Sequence, residues 1–325
     1  SSRVSASRGG GPTPIMSVAF VYVSSIAITA GIQLSGFLVA FALQTEKFYD
    51  ILGGVNYLAL TAWSAFSALD VPEPASAWIN DPRKIASSGI FIASRGWLLV
   101  FLAWRAHERQ GDARFDGVKD KFWRFLVFWL VQGMWVMLIS MPMLFVNSSS
   151  VYEPRFSGFD WLAIAGFAFG VLIEVVADIQ KAIWVKNGRR GGFCQEGVWA
   201  LSRHPNYFGE ICQWWCSWAF AYSSSSGPTD LLWWSCVVSP LFTMHILLNV
   251  PATGIAQAEG KSLRRYYDNW PVEYAKYRDS TSILIPMVGY AYVPMLLKRT
   301  LFLDLARYEY RPRANGAPRG GRKTD

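Results

Sequence analysis

FDWLAIAGFAFGVLIEVVADIQKAIWV, residues 159–185, decides the fold. An α-helix of this length, rising about 1.5 Å per residue, exceeds the roughly 30 Å of a bilayer's hydrocarbon core. Six more apolar runs, at 15–43, 48–69, 88–105, 122–146, 208–222 and 231–250, are long enough or nearly so. The expected architecture is therefore an all-α, polytopic membrane helix bundle of seven spans. Water is not the main solvent of such a chain.

Composition points the same way. Hydrophobic residues make up 52% of the 325, there are 16 Trp, and the mean hydropathy is +0.20. That is more apolar surface than an ordinary soluble domain carries. Basic residues test the span count independently. With seven spans, one side receives Arg3, Arg8, Arg83, Lys84 and Arg155, whereas the other receives twenty-five Lys or Arg. The positive-inside rule then places the C-terminus on the cytosolic side and the N-terminus outside. An even number of spans would scramble this partition.

The formal net charge of +8 needs no nucleic acid, because basic loops beside spans follow from insertion and from attraction to anionic headgroups. A functional reading stands beside it, in which Lys181, Lys186, Arg189, Arg190 and Arg203 rim a site for an anionic cofactor. The cysteines at 194, 212, 216 and 236 show neither a C-x-x-C pair nor a His at metal spacing, so neither a metal site nor a disulfide is expected. Cys212 and Cys216 share one helical face, where small soft packing is expected. Residues 1–14 are expected to be a flexible segment, 15–303 the membrane domain, and 304–325 a basic disordered tail. The opening residues lack acids and are rich in Ser and Arg, which fits either a trimmed chain or a mature form after removal of a plastid or mitochondrial targeting segment. The endoplasmic reticulum or an organelle membrane is the expected location.

Chemistry concentrates in two places. Glu174, Asp178 and Lys181 recur at i, i+4 and i+7 of the run quoted above, so they line one stripe of a helix that must face protein or water. Asp178 and Lys181 pairing at the helix end would be purely structural, but Glu174 lies a further turn inside. The second place is Ser202-Arg203-His204-Pro205-Asn206-Tyr207-Phe208-Gly209-Glu210. Pro205 and Asn206 suit a helix start, with Asn206 as a capping residue. Glu210, one turn on, is costly inside a membrane without a partner.

These two segments resemble the C-terminal half of the steroid 5α-reductase-like membrane family, and most closely its large uncharacterised branch, which carries a near-identical SRHPNYFGE element. The likeness extends to Trp104-Arg105, Arg109, Gly111-Asp112 and Arg114-Phe115 upstream, and to Glu259, Tyr274, Tyr277 and Ile285-Pro286 downstream. It covers roughly residues 45 to 290. The resemblance implies an NADPH-dependent reductase that saturates a carbon–carbon double bond in a lipid-soluble substrate. It assigns Asn206 and Glu210 to the nicotinamide nucleotide and Asp178 to the same pocket, while Glu174 stands where characterised relatives carry Asn. Glu174, Lys181, Arg203 and Glu259 complete the expected cofactor set. Tyr207, His204 and Glu210 are the expected catalytic groups, with Tyr207 or His204 as proton donor. Characterised steroid reductases use an acid in an early span, and 48–69 holds none that is recognisable, so a steroid substrate is not expected.

Two other readings stay open. The Arg-His-Pro-x-Tyr arrangement with a downstream Glu is similar to the isoprenylcysteine and phospholipid methyltransferases, which use S-adenosylmethionine; Arg203 and His204 would then cap the donor's pocket, with Glu210 and Glu259 holding its amino and ribose groups. Alternatively the fold serves as a non-catalytic accessory subunit of a membrane supercomplex, its aromatic faces meeting partners, lipids or pigments. Among the remaining residues, Arg95 is a rare cation within a span, open to an ion pair or a lipid phosphate. His107 is expected to be solvated and His245 to make a helix-contact hydrogen bond. Tyr266, Tyr267, Tyr274 and Tyr277 are read as covering an adenine or lying along the membrane surface. The segment 283–302, broken by Pro286 and Pro294, is expected to be interfacial.

Overall fold

The computed structural model describes residues 14–67, 78–108, 113–149, 151, 155–189, 192–250, 254–255, 264–305 and 308. Their regular structure is helical: α1 (Pro14–Ala42), α2 (Tyr49–Phe66), α3 (Pro82–Glu108), α4 (Phe122–Ser148), α5 (Gly158–Lys186), α6 (Pro205–Ala221), α7 (Leu231–Ser235), α8 (Val238–Leu248), α9 (Pro271–Ser280) and α10 (Met295–Thr300). Among the described residues, five stretches are long and apolar enough to cross a membrane, namely Val18–Ala42, Pro82–Trp104, Phe122–Ser148, Gly158–Lys186 and Leu231–Leu248. The other two expected spans form helices, α2 and α6, of 18 and 17 residues, which do not meet that standard of length and hydropathy. The chain is thus an all-helical, multi-pass membrane protein.

Two compact units divide the chain: Ser1–Val171 with Ile211–Thr243, and Leu172–Glu210 with Met244–Asp325. The first is a helix bundle around Tyr57, Leu60, Phe91, Val136, Ile139, Met143, Phe167 and Trp214. Lipid tails are as apolar as leucine, so close packing and interhelical hydrogen bonds hold such a bundle together. Both are present. Asn147 Nδ2 of α4 donates to Ser64 Oγ of α2 at 2.8 Å and Ser88 Oγ of α3 at 3.0 Å. Gln33 Nε2 donates to Asn56 Oδ1, and Asn56 Nδ2 in turn to Thr29 Oγ1, joining α1 to α2. A Cβ on Gly166 would meet Cys216 Sγ at 2.6 Å, so that cysteine fills the space the glycine leaves. Arg95, 2% exposed, lays its guanidinium 4.7 Å from the Trp214 ring and 5.9 Å from that of Tyr57, and donates to Ser94 Oγ.

Local chemistry fixes the helix ends. Asp81 Oδ1 accepts from the backbone N–H of Arg83, with Pro82 as the first helical residue, so α3 starts six residues before the apolar run at 88. Asp230 caps α7 by accepting from Leu232 and Trp233. Its carboxyl is held below the usual carboxylate range because those bonds and two from Ser226 outweigh the opposing effect of burial. Trp233 then stacks on Trp218 at 4.6 Å, and each indole N–H donates to the other residue's backbone carbonyl.

Candidate functional site

The second unit contains eight of the nine expected site residues; Glu259 lies outside the described residues. Its scaffold begins with the end of α5, where the Trp199 indole donates to the Ala177 carbonyl at 3.0 Å and the Gln180 side chain accepts from Val198 N–H. Gly197, at φ +59°, allows that approach, because a Cβ there would strike the Gln180 amide. The segment 192–200 is held from its other side by aromatic rings. Gly192, at φ +83°, sits against Trp270, and Phe193 is enclosed by Tyr266, Tyr274 and Tyr277. The Tyr277 hydroxyl donates to the Trp199 carbonyl. Of the four tyrosines singled out in the sequence, Tyr274 and Tyr277 are buried as packing, while Tyr266 and Tyr267 are half-buried.

From Leu201 onward the chain pairs with 282–287. Arg203 N–H donates to the Ser282 carbonyl at 2.8 Å, Ser202 Oγ to that of Leu284, and Met287 N–H to that of Leu201, with Ser202 and Ser282 forming an isolated parallel bridge. This pairing delivers His204 and Pro205 to the start of α6. Pro205 takes the first helical position, as expected. Asn206 does not cap, since its Oδ1 is a buried acceptor with no hydrogen-bond partner among the described residues.

Glu174 is buried at 5% exposure, and Asp178 and Lys181 are half-buried, so the stripe expected on α5 is real. Lys181 directs its ammonium over the rings of Trp184 and Trp199, at 4.7 and 4.4 Å. The Tyr207 ring stacks on His204 at 5.3 Å, and its hydroxyl lies within electrostatic reach of both Glu210 and Asp178. Tyr207 stands just ahead of the apolar run that starts at 208. Burial first, and then the negative charge of Glu210 and Asp178, push its phenol up to about 12, so it keeps its proton at neutral pH. Asp178 and Glu210 thus both act electrostatically on Tyr207.

Arg203 reaches the C-terminal stretch. Its Nη2 donates to Asp304 Oδ2 at 2.9 Å, and the same oxygen accepts from the Tyr290 hydroxyl at 2.8 Å. Asp304 opens the stretch expected to be a tail, yet it is a structural partner of a buried arginine. Nothing local in the sequence marks a pairing across 101 residues. His245, expected to bond a neighbouring helix, is exposed at the end of α8, and the side chain of His107 lies outside the described residues.

Comparison with protein families matches residues 36–281, about three quarters of the chain, to the family described as "Protein of unknown function (DUF1295)". The chain belongs to that family. No curated protein and no solved structure matches it. The DUF1295 match takes in every candidate residue from Glu174 to Glu259, whereas Tyr290 and Asp304, the partners of Arg203, lie past its end.

Proposed function

We propose that this protein is a membrane-embedded reductase that uses NADPH to saturate a carbon–carbon double bond in a lipid-soluble substrate, in a seven-span arrangement with its C-terminus on the cytosolic side. The observations that carry the reading are the electrostatic influence of Asp178 and Glu210 on the Tyr207 hydroxyl and, on the preceding residue, a buried Asn206 Oδ1 with no hydrogen-bond partner among the described residues. A buried acceptor without a donor costs about 1–3 kcal/mol, a cost that a ligand N–H would remove. The nicotinamide carboxamide offers such an N–H, and the ribose offers hydroxyl donors to Asp178, Glu210 and Glu174. The nicotinamide end of the cofactor therefore fits the residues present. Its phosphates fit the carboxylates poorly and would lie toward the exposed Lys186 and Arg189.

When bound, the dihydronicotinamide supplies a hydride. The chain's own part is to exclude water, to fix the cofactor ring through Asn206, and to present a protonated phenol. Tyr207 at about 12 stays neutral through the physiological range and donates to a substrate carbonyl, while the ring of His204 braces it.

The test is thermal unfolding of the purified protein with NADPH or S-adenosylmethionine, since a ligand that binds only the folded state raises the midpoint by mass action. NADPH should stabilise, and Glu210→Gln should abolish that effect while leaving the protein folded in detergent. Unchanged NADPH affinity in the variant overturns the assignment. Stabilisation by S-adenosylmethionine alone would favour the methyltransferase. A specific observation favours the accessory-subunit reading as the second: Arg203, the nearest buried cation in sequence to Asn206, is bound to Asp304. Stabilisation by neither ligand is its expected outcome.

A further inference from the structure

Residues 286–305 of the second unit carry an unusual surface. Pro286 and Pro294 prevent a continuous helix, Gly289 turns the chain at φ +77°, and a 3-10 turn at Tyr290–Tyr292 and the short α10 follow it. Six apolar side chains are exposed within fourteen residues: Val288 at 83%, Tyr292 at 91%, Met295 at 61%, Leu296 at 72%, Leu297 at 43% and Leu301 at 61%. A folded protein in water does not keep so dense a group exposed without an occupant. The inward side of the same segment is firmly built. Lys298 Nζ lies 4.2 Å over the Tyr290 ring and donates to the Asp279 carbonyl, Arg299 donates to the Asp304 carbonyl at 2.6 Å, and Asp304 holds Arg203. The exposed face therefore belongs to an ordered element.

We infer that the face made by Val288, Tyr292, Met295, Leu296 and Leu301 is an interfacial anchor seated in the headgroup layer of an anionic leaflet, and that Asp304 and Tyr290 fasten this anchor to Arg203. The occupant follows from charge and context. The chain crosses a membrane, so a lipid surface is always within reach. Beyond the apolar face the sequence carries Arg307, Arg311, Arg313, Arg319, Arg322 and Lys323 against Glu309 and Asp325 alone. Each such cation near an anionic surface contributes about 1 kcal/mol of attraction, while a short amphipathic stretch with Tyr, Met and Leu on its free side buries those groups at the acyl boundary. Because Arg203 directly precedes His204, the anchor sets the level of the α6 start against the membrane surface. This inference is independent of the reductase reading, since it holds for an enzyme and for a structural subunit alike.

The experiment uses the full chain in lipid nanodiscs, with an environment-sensitive fluorophore on Leu296→Cys. That position is exposed, so the fold tolerates the change, and the unaltered protein gives the background from its own four cysteines. In discs of phosphatidylcholine with phosphatidylglycerol, the emission should shift to the blue and be largely lost when the lipids carry a quencher at headgroup depth. In phosphatidylcholine alone, quenching should be weaker. Asp304→Asn should weaken it as well, by loosening the anchor from Arg203. Water-like, unquenched emission overturns the inference, and so does a blue shift without lipid quenching, which would put a protein on this face. Equal quenching in the two lipid mixtures overturns the choice of an anionic leaflet.

Discussion

Arg83 of α3 donates to Asp160 Oδ2 of α5 at 2.8 Å, with the two side chains only 5% and 0% exposed. The same Oδ2 also accepts from the backbone N–H and hydroxyl of Ser157, while Asp160 Oδ1 and Arg83 Nε have no hydrogen-bond partner among the described residues. Removing one partner of such a pair costs about 3–5 kcal/mol, whereas replacing both by apolar groups is often neutral. Asp160→Asn should therefore unfold at a clearly lower temperature in detergent, and Arg83→Met with Asp160→Leu should recover most of the loss. A single variant that melts with the native protein would show that water reaches the pair.

Gly192→Ala combines two penalties, a left-handed backbone at φ +83° and a Cβ 2.6 Å from the Trp270 ring. The backbone part alone is worth about 1–3 kcal/mol. Limited proteolysis should cut the stretch near 192–200 faster in this variant. Adding Trp270→Ala should restore only part of the protection, because it relieves the clash and leaves the strain.

Tyr290 makes stability depend on pH at the alkaline end. Burial first, and then its bond to the Asp304 carboxylate, raise its phenol above the usual value of 10.0. A folded-state pKa above the unfolded one means that the folded protein holds the proton longer, so the contribution is fully present below pH 10 and is lost as pH rises toward the folded value. Tyr290→Phe should flatten that part of the stability profile measured by chemical denaturation above pH 10. A profile parallel to the native one would show that the hydroxyl is solvated.

Asn206→Ala removes a side-chain oxygen with no hydrogen-bond partner among the described residues, so the melting temperature should not fall below native. NADPH affinity should fall about tenfold, the loss of one hydrogen bond of roughly 1.4 kcal/mol. Isothermal titration of the full chain measures both binding and its loss, and equal affinities would leave Asn206 without a role in the cofactor site.

Hydropathy made the spanning elements legible because a bilayer imposes a minimum length on apolar runs: 15–43 became Pro14–Ala42 and 159–185 became Gly158–Lys186. Where the bounds or continuity of a span differ from the apolar run, pairing or capping is the reason. The run at 88–105 begins at Pro82 in the structure, because Arg83 is neutralised by Asp160 and capped through Asp81, and a hydropathy window counts such a charge as a stop. The run at 231–250 is interrupted between Ser235 and Val238, where Cys236 and Val237 close short turns onto Trp233 and Trp234. In the candidate site, the spacing of Glu174, Asp178 and Lys181 was readable because the helical period is fixed. The clamp of Arg203 by Asp304 and Tyr290 was not, since only folding makes such distant residues neighbours.

The mutual indole-to-carbonyl bonds of Trp218 and Trp233 bear on how this protein finds its depth in a bilayer. Tryptophan usually favours the headgroup zone because its ring is greasy and its nitrogen is thirsty. Here each nitrogen is quenched by the partner's backbone, so the stacked rings are indifferent to immersion and carry no vertical information. Trp123 and Trp161, 75% and 60% exposed, are the most exposed tryptophans among the described residues and better rulers against which the waterline of this molecule is drawn.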